Sequence, residues 1–218
     1  MEGNSFIDSY KRAIDVILHP GVATKDTMTL KSGIIEVYKV GLIPAILGII
    51  ISVLLGSTLA TTSTLGLVSG AFVSLLGVIG VIIEYILEPL LLIIVAGIYH
   101  LIVGKLFRIY KSGFSNVYTA FVYGIFPYML LFWLLNVPGL NIVLAIVIII
   151  WEFIIQIIAL SNQLHISRFK AFGTLLLEYI IIVIISALIS FALLLPVLTG
   201  AVGPVPYSGS RPPVPPYP

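Results

Sequence analysis

The chain has no cysteine, which removes a disulfide framework and thiol chemistry from consideration. It is also short of charge. Only 9% of its 218 residues are Asp, Glu, Lys or Arg, where a soluble domain of this length carries about a quarter. No N-x-[ST] acceptor and no internal repeat occurs. The G-x-S-x-G, H-E-x-x-H, Walker and Rossmann patterns are all absent. The three histidines, His19, His100 and His165, stand far apart, none at metal-ligand spacing with an acid or a second histidine. An enzyme is therefore not expected, nor a metal or cofactor. A net charge of +2 is too small to point to nucleic acid.

What the chain does have is oil. Hydrophobic residues make up 60% and mean hydropathy is +1.19. No soluble core of this size could hide that much apolar surface, so the expected class is an all-α, polytopic membrane protein. The first residues do not read as a cleavable signal, because the first long apolar run begins only near Val40. Before it, "NSFIDSYKRAIDVILHP" places Phe6, Ile7, Tyr10, Ala13, Ile14, Ile17 and Leu18 at helical spacing. Asp8, Lys11, Arg12 and Asp15 lie opposite. Ser5 with Asp8 predicts a capping box and Pro20 a stop. Such an amphipathic helix either lies in the inner membrane interface or packs its stripe on the protein's own spans.

A span needs about 20 apolar residues. Clear candidates are 40–59, 117–135, 142–160 and 174–195, while the stretch 65–107 is too long for one span and short for two. The basic residues arbitrate. Lys11, Arg12, Lys25, Lys31 and Lys39 precede the first span. Lys105, Arg108 and Lys111 form a second cluster, and Arg168 and Lys170 a third. If basic loops stay in the cytoplasm, all three share one side. One crossing, 89–104, must then return the chain before Lys105. The stretch 65–83 becomes an outer interfacial or re-entrant helix running into that span, its Gly66, Gly70, Gly77 and Gly80 allowing close approach to a neighbour. The expected architecture is five transmembrane helices with the N-terminus inside and the C-terminus outside. Its parts are a cytoplasmic segment at 1–38, a membrane domain at 39–198 and a proline-rich external tail at 199–218.

Polar groups within spans are costly in lipid and mark function by default. His100, Tyr123, Gln156 and Glu178 lie roughly 7 Å inside the inner boundary at ~1.5 Å per residue, with Glu152 one turn deeper on the face of Gln156. They form a candidate polar layer, serving either a proton, ion or headgroup site or interhelical hydrogen bonding. Glu152 is expected to point into the bundle, with Tyr123 as first-choice partner. Glu84 and Glu88 form a like-charged pair expected in water at the outer boundary.

The segment "YHLIVGKLFRIYKSGFSNVYTAFVYGIFP" resembles the core of the Yip-domain family, the Ypt/Rab-GTPase-interacting multi-pass membrane proteins. His100, Gly113, Phe114, Ser115, Tyr123 and Pro127 carry the likeness. In the next inner loop, "ALSNQLHISRFKAFGT", so do His165, Ser167, Lys170 and Ala171. "RAIDVILHP" resembles the segment opening prokaryotic versions. The resemblance implies five transmembrane helices and a non-enzymatic role in membrane trafficking or membrane shaping, with membrane lipids and a second copy or another membrane protein as partners. Relatives that engage GTPases do so through a long cytoplasmic N-terminal region. The segment before Val40 is short here, so GTPase binding is not expected. The competing reading is a small transporter or channel-like protein using the polar layer.

Overall fold

A computed structural model describes residues 5–60, 64–137 and 139–198; the proline-rich tail lies outside the described residues. Among these, every regular element is helical: α1 (Phe6–Leu18), α2 (Pro20–Ala23), α3 (Leu30–Ala60), α4 (Thr64–Tyr99), α5 (Phe114–Leu131), α6 (Asn141–Leu164) and α7 (Arg168–Leu198). The π-helical turns His100–Leu106 continue α4, and a 3₁₀ stretch, Phe132–Asn136, follows α5. Five helical segments are long and apolar enough to cross a membrane: Leu30–Thr58, Ser74–Leu106, Phe114–Asn136, Asn141–Leu164 and Arg168–Ala192. The fold is all-α and polytopic.

The chain divides into two units, residues 1–178 and 179–218. The second, as far as described, is the continuation of α7. Within the first, α5 is the central helix. Its mean hydropathy of 1.6 is the lowest of the five, yet 72% of its span is buried, against 39% or less in the others. A helix surrounded by protein need not be as oily as its lipid-facing neighbours, and an unbroken run from Val117 to Pro127 is buried in α5.

α3 begins at Leu30, ten residues before the expected span (40 less 30). Hydropathy stops at Lys31, Glu36 and Lys39, but the helix does not, because α1 covers its charge. Glu36 is only 5% exposed. Its Oε2 accepts from Ser9 Oγ at 3.0 Å, and its Oε1 lies 3.8 Å from Arg12 Nε. α1 itself starts as expected, with Ser5 and Asp8 in a reciprocal capping box. Its Ser9, Ala13 and Val16 are buried, while Ile7, Ile14 and Leu18 are exposed. The apolar stripe is thus divided between the bundle and the surroundings.

Pro44 inside α3 deprives the Val40 carbonyl of its helical donor. The Tyr10 hydroxyl supplies the replacement at 2.6 Å and accepts from the Ile43 amide at 3.3 Å. α1 is therefore fastened where the helix is chemically open. Burial pushes the Tyr10 phenol above its ordinary pKa, against the lowering effect of the Ile43 amide, so it remains the protonated donor this bond requires.

The stretch 65–83 does run into the second span, in one unbroken helix. The apolar span reaches outward to Ser74 rather than starting at residue 89. Pro89 was the expected boundary, but a proline can be tolerated within a span where neighbours re-satisfy the backbone. Pro89 frees the Tyr85 carbonyl. One residue further on, Tyr38 donates to the Ile86 carbonyl at 3.1 Å, and Tyr85 donates back to the Tyr38 carbonyl at 3.0 Å, which ties α3 to α4 just ahead of the proline. Further out, α3 and α4 touch at Gly77, where an added Cβ would lie 2.7 Å from Ser52 Oγ. Gly80, expected to serve the same purpose, faces open space.

Candidate polar site at the basic end of the bundle

Hydrogen bonds gather the residues around 24–29, 99–119 and 160–178 at one end of the first unit. They form two adjoining polar groups. In the first, Gln163, only 2% exposed, donates from Nε2 to the carbonyls of Thr24 (2.8 Å) and Asp26 (2.9 Å) and accepts at Oε1 from Thr27 (2.9 Å). Asn116 donates to the Gln163 carbonyl at 3.2 Å. Asn162 donates to Thr24 Oγ1 at 2.8 Å. Thr119 Oγ1 accepts from the Met28 amide at 2.8 Å. Tyr123 donates to the Asp26 carbonyl at 2.9 Å. These side chains clamp the irregular segment 24–28 over the end of α5 and α6, and they satisfy backbone groups that would otherwise be buried without partners.

The second group surrounds the π-helical turns, a rare geometry that clusters at functional sites. Here the Phe107 amide donates five residues back to the Ile102 carbonyl at 2.9 Å. The chain then turns through Arg108, which has φ of 52°, and folds Tyr110 back over Gly104. A Cβ on Gly104 would meet the Tyr110 hydroxyl at 2.7 Å, so the close seating of Tyr110 here depends on the missing side chain. The Tyr110 hydroxyl lies 3.0 Å from His100 Nδ1, and the Tyr110 ring stacks on Tyr99 at a 6.2 Å centroid separation. Tyr99 in turn shares a 2.7 Å hydrogen bond with Thr174. Burial, then the neighbouring Tyr99 and Glu178, push the Tyr110 phenol upward, so it holds its proton beside the imidazole. Glu178 is 2% exposed and its Oε1 has no hydrogen-bond partner.

The expected polar layer therefore separates. His100 and Glu178 belong to the tyrosine group. Tyr123 belongs to the clamp and is not the partner of Glu152. Gln156 is buried against Gly124 with its Oε1 unpaired. Glu152 lies on the stripe of Ile148, Gln156 and Gln163 but stays half-exposed, within electrostatic range of Glu88. Glu84 and Glu88 lie inside the long apolar helical segment Ser74–Leu106 rather than ahead of it, because that segment extends past Pro89. Lys105, Arg108, Lys111, Arg168 and Lys170 are all exposed around the basic end. Leu106, Phe107 and Phe169 stand exposed among them.

Sequence reasoning missed Asn116, Thr119, Asn162 and Gln163. The signal was present in the "SNQ" run, but it was assigned to a loop by ending the span at residue 160, whereas α6 continues to Leu164. Among the described residues, no group of three His, Cys, Asp or Glu is arranged to hold a metal ion. Comparison of the chain with protein-family models, curated proteins and solved structures finds no match.

Proposed function

We propose that this chain is a non-enzymatic integral membrane protein, of the Yip type by resemblance, that organises lipid or partner proteins at its basic end. The observation that carries the reading is how the polar side chains there are employed. Gln163, Thr119 and Tyr123 are bonded to the backbone of segment 24–28, and Asn116 donates to its Thr27 hydroxyl at 3.4 Å, so they secure an attachment rather than line an open path. Around that attachment, exposed lysines and arginines alternate with exposed Leu106, Phe107 and Phe169, the pairing that suits an anionic membrane surface. The exposed side of α1, with Ile7, Ile14 and Leu18, makes it an amphipathic helix lying in the same interface. By the positive-inside rule this end is cytoplasmic and the protein sits in the cell membrane with its C-terminus external.

A second reading, a small transporter, draws on one observation: the buried, unpaired oxygen of Glu178 beside the His100–Tyr110 pair. Reconstitution separates the two. In phosphatidylglycerol/phosphatidylcholine vesicles, the protein should hold anionic lipid in excess of the bulk, measured by quenching from labelled lipid. The triple change Lys105→Gln, Arg108→Gln and Lys111→Gln should reduce the excess, each cation contributing about 1 kcal/mol at such a surface. A wild-type protein without anionic preference would overturn the reading. So would proton or cation uptake that Glu178→Gln abolishes, which would establish the transporter.

A further inference from the structure

Beside α1, on the far side of segment 24–28 from the side chains that clamp it, lies an open cleft of about 290 Å³ lined by Asp8, Lys11, Arg12, Asp15, Ala23 and Asp26. Its size is at the lower end of the range for small-molecule sites. Five of its six lining residues are charged, two basic and three acidic, yet they scarcely neutralise one another. The one ion pair they make among described residues is from Arg12 to Glu36, outside the cleft, at 3.8 Å. Asp8 serves its own helix cap by accepting from the Ser5 amide. Lys11, Asp15 and the Asp26 side chain are exposed. Charges of both signs held around a concavity without pairing are suited to a ligand that carries both signs itself.

We propose that this cleft binds a zwitterionic aminoalkyl phosphate, its phosphate on Lys11 and Arg12 and its ammonium on the carboxylate of Asp26 or Asp15. Charge-assisted contacts of this kind are the strong ones, and a lysine can meet phosphate as a point charge. A divalent cation is the poorer occupant, because no three carboxylates come together to coordinate one among the described residues. The backbone of Asp26 is fixed by Gln163 and Tyr123, so its carboxylate is presented from a rigid support. Ala23 ends the short helix α2, which packs back on α1, and Asp26 follows it; together they give the cleft its second wall.

The same chemistry exists as a membrane headgroup and as a free molecule. The position of Lys11 favours the headgroup. The helical wheel corrects the expectation that Lys11 lies opposite the stripe: Ile7, four residues before it, and Ile14 and Leu18, three and seven after, border it on the helix surface, and all three are exposed. Acyl chains lying along them would bring a phosphoethanolamine headgroup to the cleft. This choice of source rests on the reading of α1 as an interfacial helix; the pairing of charges in the cleft does not.

The test uses the full-length protein in nanodiscs of phosphatidylcholine containing either phosphatidylethanolamine or phosphatidylglycerol, with retained lipid counted by native mass spectrometry. Phosphatidylethanolamine should be retained over phosphatidylcholine. Lys11→Gln with Asp26→Asn should lower that retention by roughly tenfold, about 1.4 kcal/mol, without changing the phosphatidylglycerol preference that belongs to the basic loops. Both side chains are exposed and make no hydrogen bond in the clamp, so thermal unfolding of the double variant should match the parent. Phosphoethanolamine added in solution should compete; competition as strong as that of the lipid would identify the free molecule as the ligand. Equal retention of phosphatidylethanolamine and phosphatidylcholine, together with no binding of phosphoethanolamine, would overturn the proposal even if the anionic preference stands. Retention that the double variant leaves unchanged would do the same.

Discussion

At the scale of single residues, Tyr10 shows how a backbone defect in one helix specifies a contact from another. Pro44 leaves the Val40 carbonyl without a donor, and the Tyr10 hydroxyl fills that place. Tyr10→Phe keeps the ring and removes only the hydroxyl, leaving a carbonyl unpaired in a poorly hydrated position. The expected loss is about 1–3 kcal/mol, read as a lower midpoint of thermal unfolding in detergent. An unchanged midpoint would mean that water already serves Val40. This contact was legible in principle, since a proline within an apolar run always frees the carbonyl four residues earlier. The clamp was not. Gln163 and Tyr123 bond to backbone carbonyls 97 to 139 positions away, and a carbonyl has no signature in sequence. The expected pairing of Tyr123 with Glu152 failed for that reason: the reading considered side chains as partners and overlooked the main chain.

At the scale of elements, hydropathy and periodicity were informative about which helices exist and weak about where they stop. Helices α3 and α6 continue into polar sequence at the basic end because neighbouring elements cover or bond what hydropathy counts as foreign to lipid. Glu36 of α3 under α1 and Gln163 of α6 under segment 24–28 are the two clearest instances. The π-helical turns had no forewarning beyond Gly104. Between α3 and α4, the two outer glycines are now distinguishable. Gly77→Leu would drive a side chain into Ser52, whereas Gly80→Leu would enter open space. The first should destabilise by about 1–3 kcal/mol, as overpacking does, and the second should leave unfolding close to the parent. Equal effects from both would show that α3 and α4 do not meet along this edge.

For the whole molecule, the grouping of basic residues was the most productive feature of the sequence. It led to five spans, matching the number of helices long and apolar enough to cross. Cysteines introduced one at a time make the arrangement testable, since the chain has none of its own. Ser112→Cys and Ser167→Cys should react with an impermeant maleimide from one side of the membrane and Asn136→Cys from the other. Labelling of Ser112→Cys and Asn136→Cys from the same side would refute a single crossing between them.

The clamp also dictates an order of events during synthesis. Residues 24–28 are held by Thr119 and Tyr123 of α5 and by Gln163 of α6, the last bond to Thr24 closing a loop of 139 positions. None of those anchors exists when the N-terminal segment emerges. Segment 24–28 therefore precedes every one of its anchors in the chain and can take its final place only after α6 has been made. In the meantime the exposed Ile7, Ile14 and Leu18 of α1 are joined by the stripe of Ala13 and Val16 that the bundle later covers.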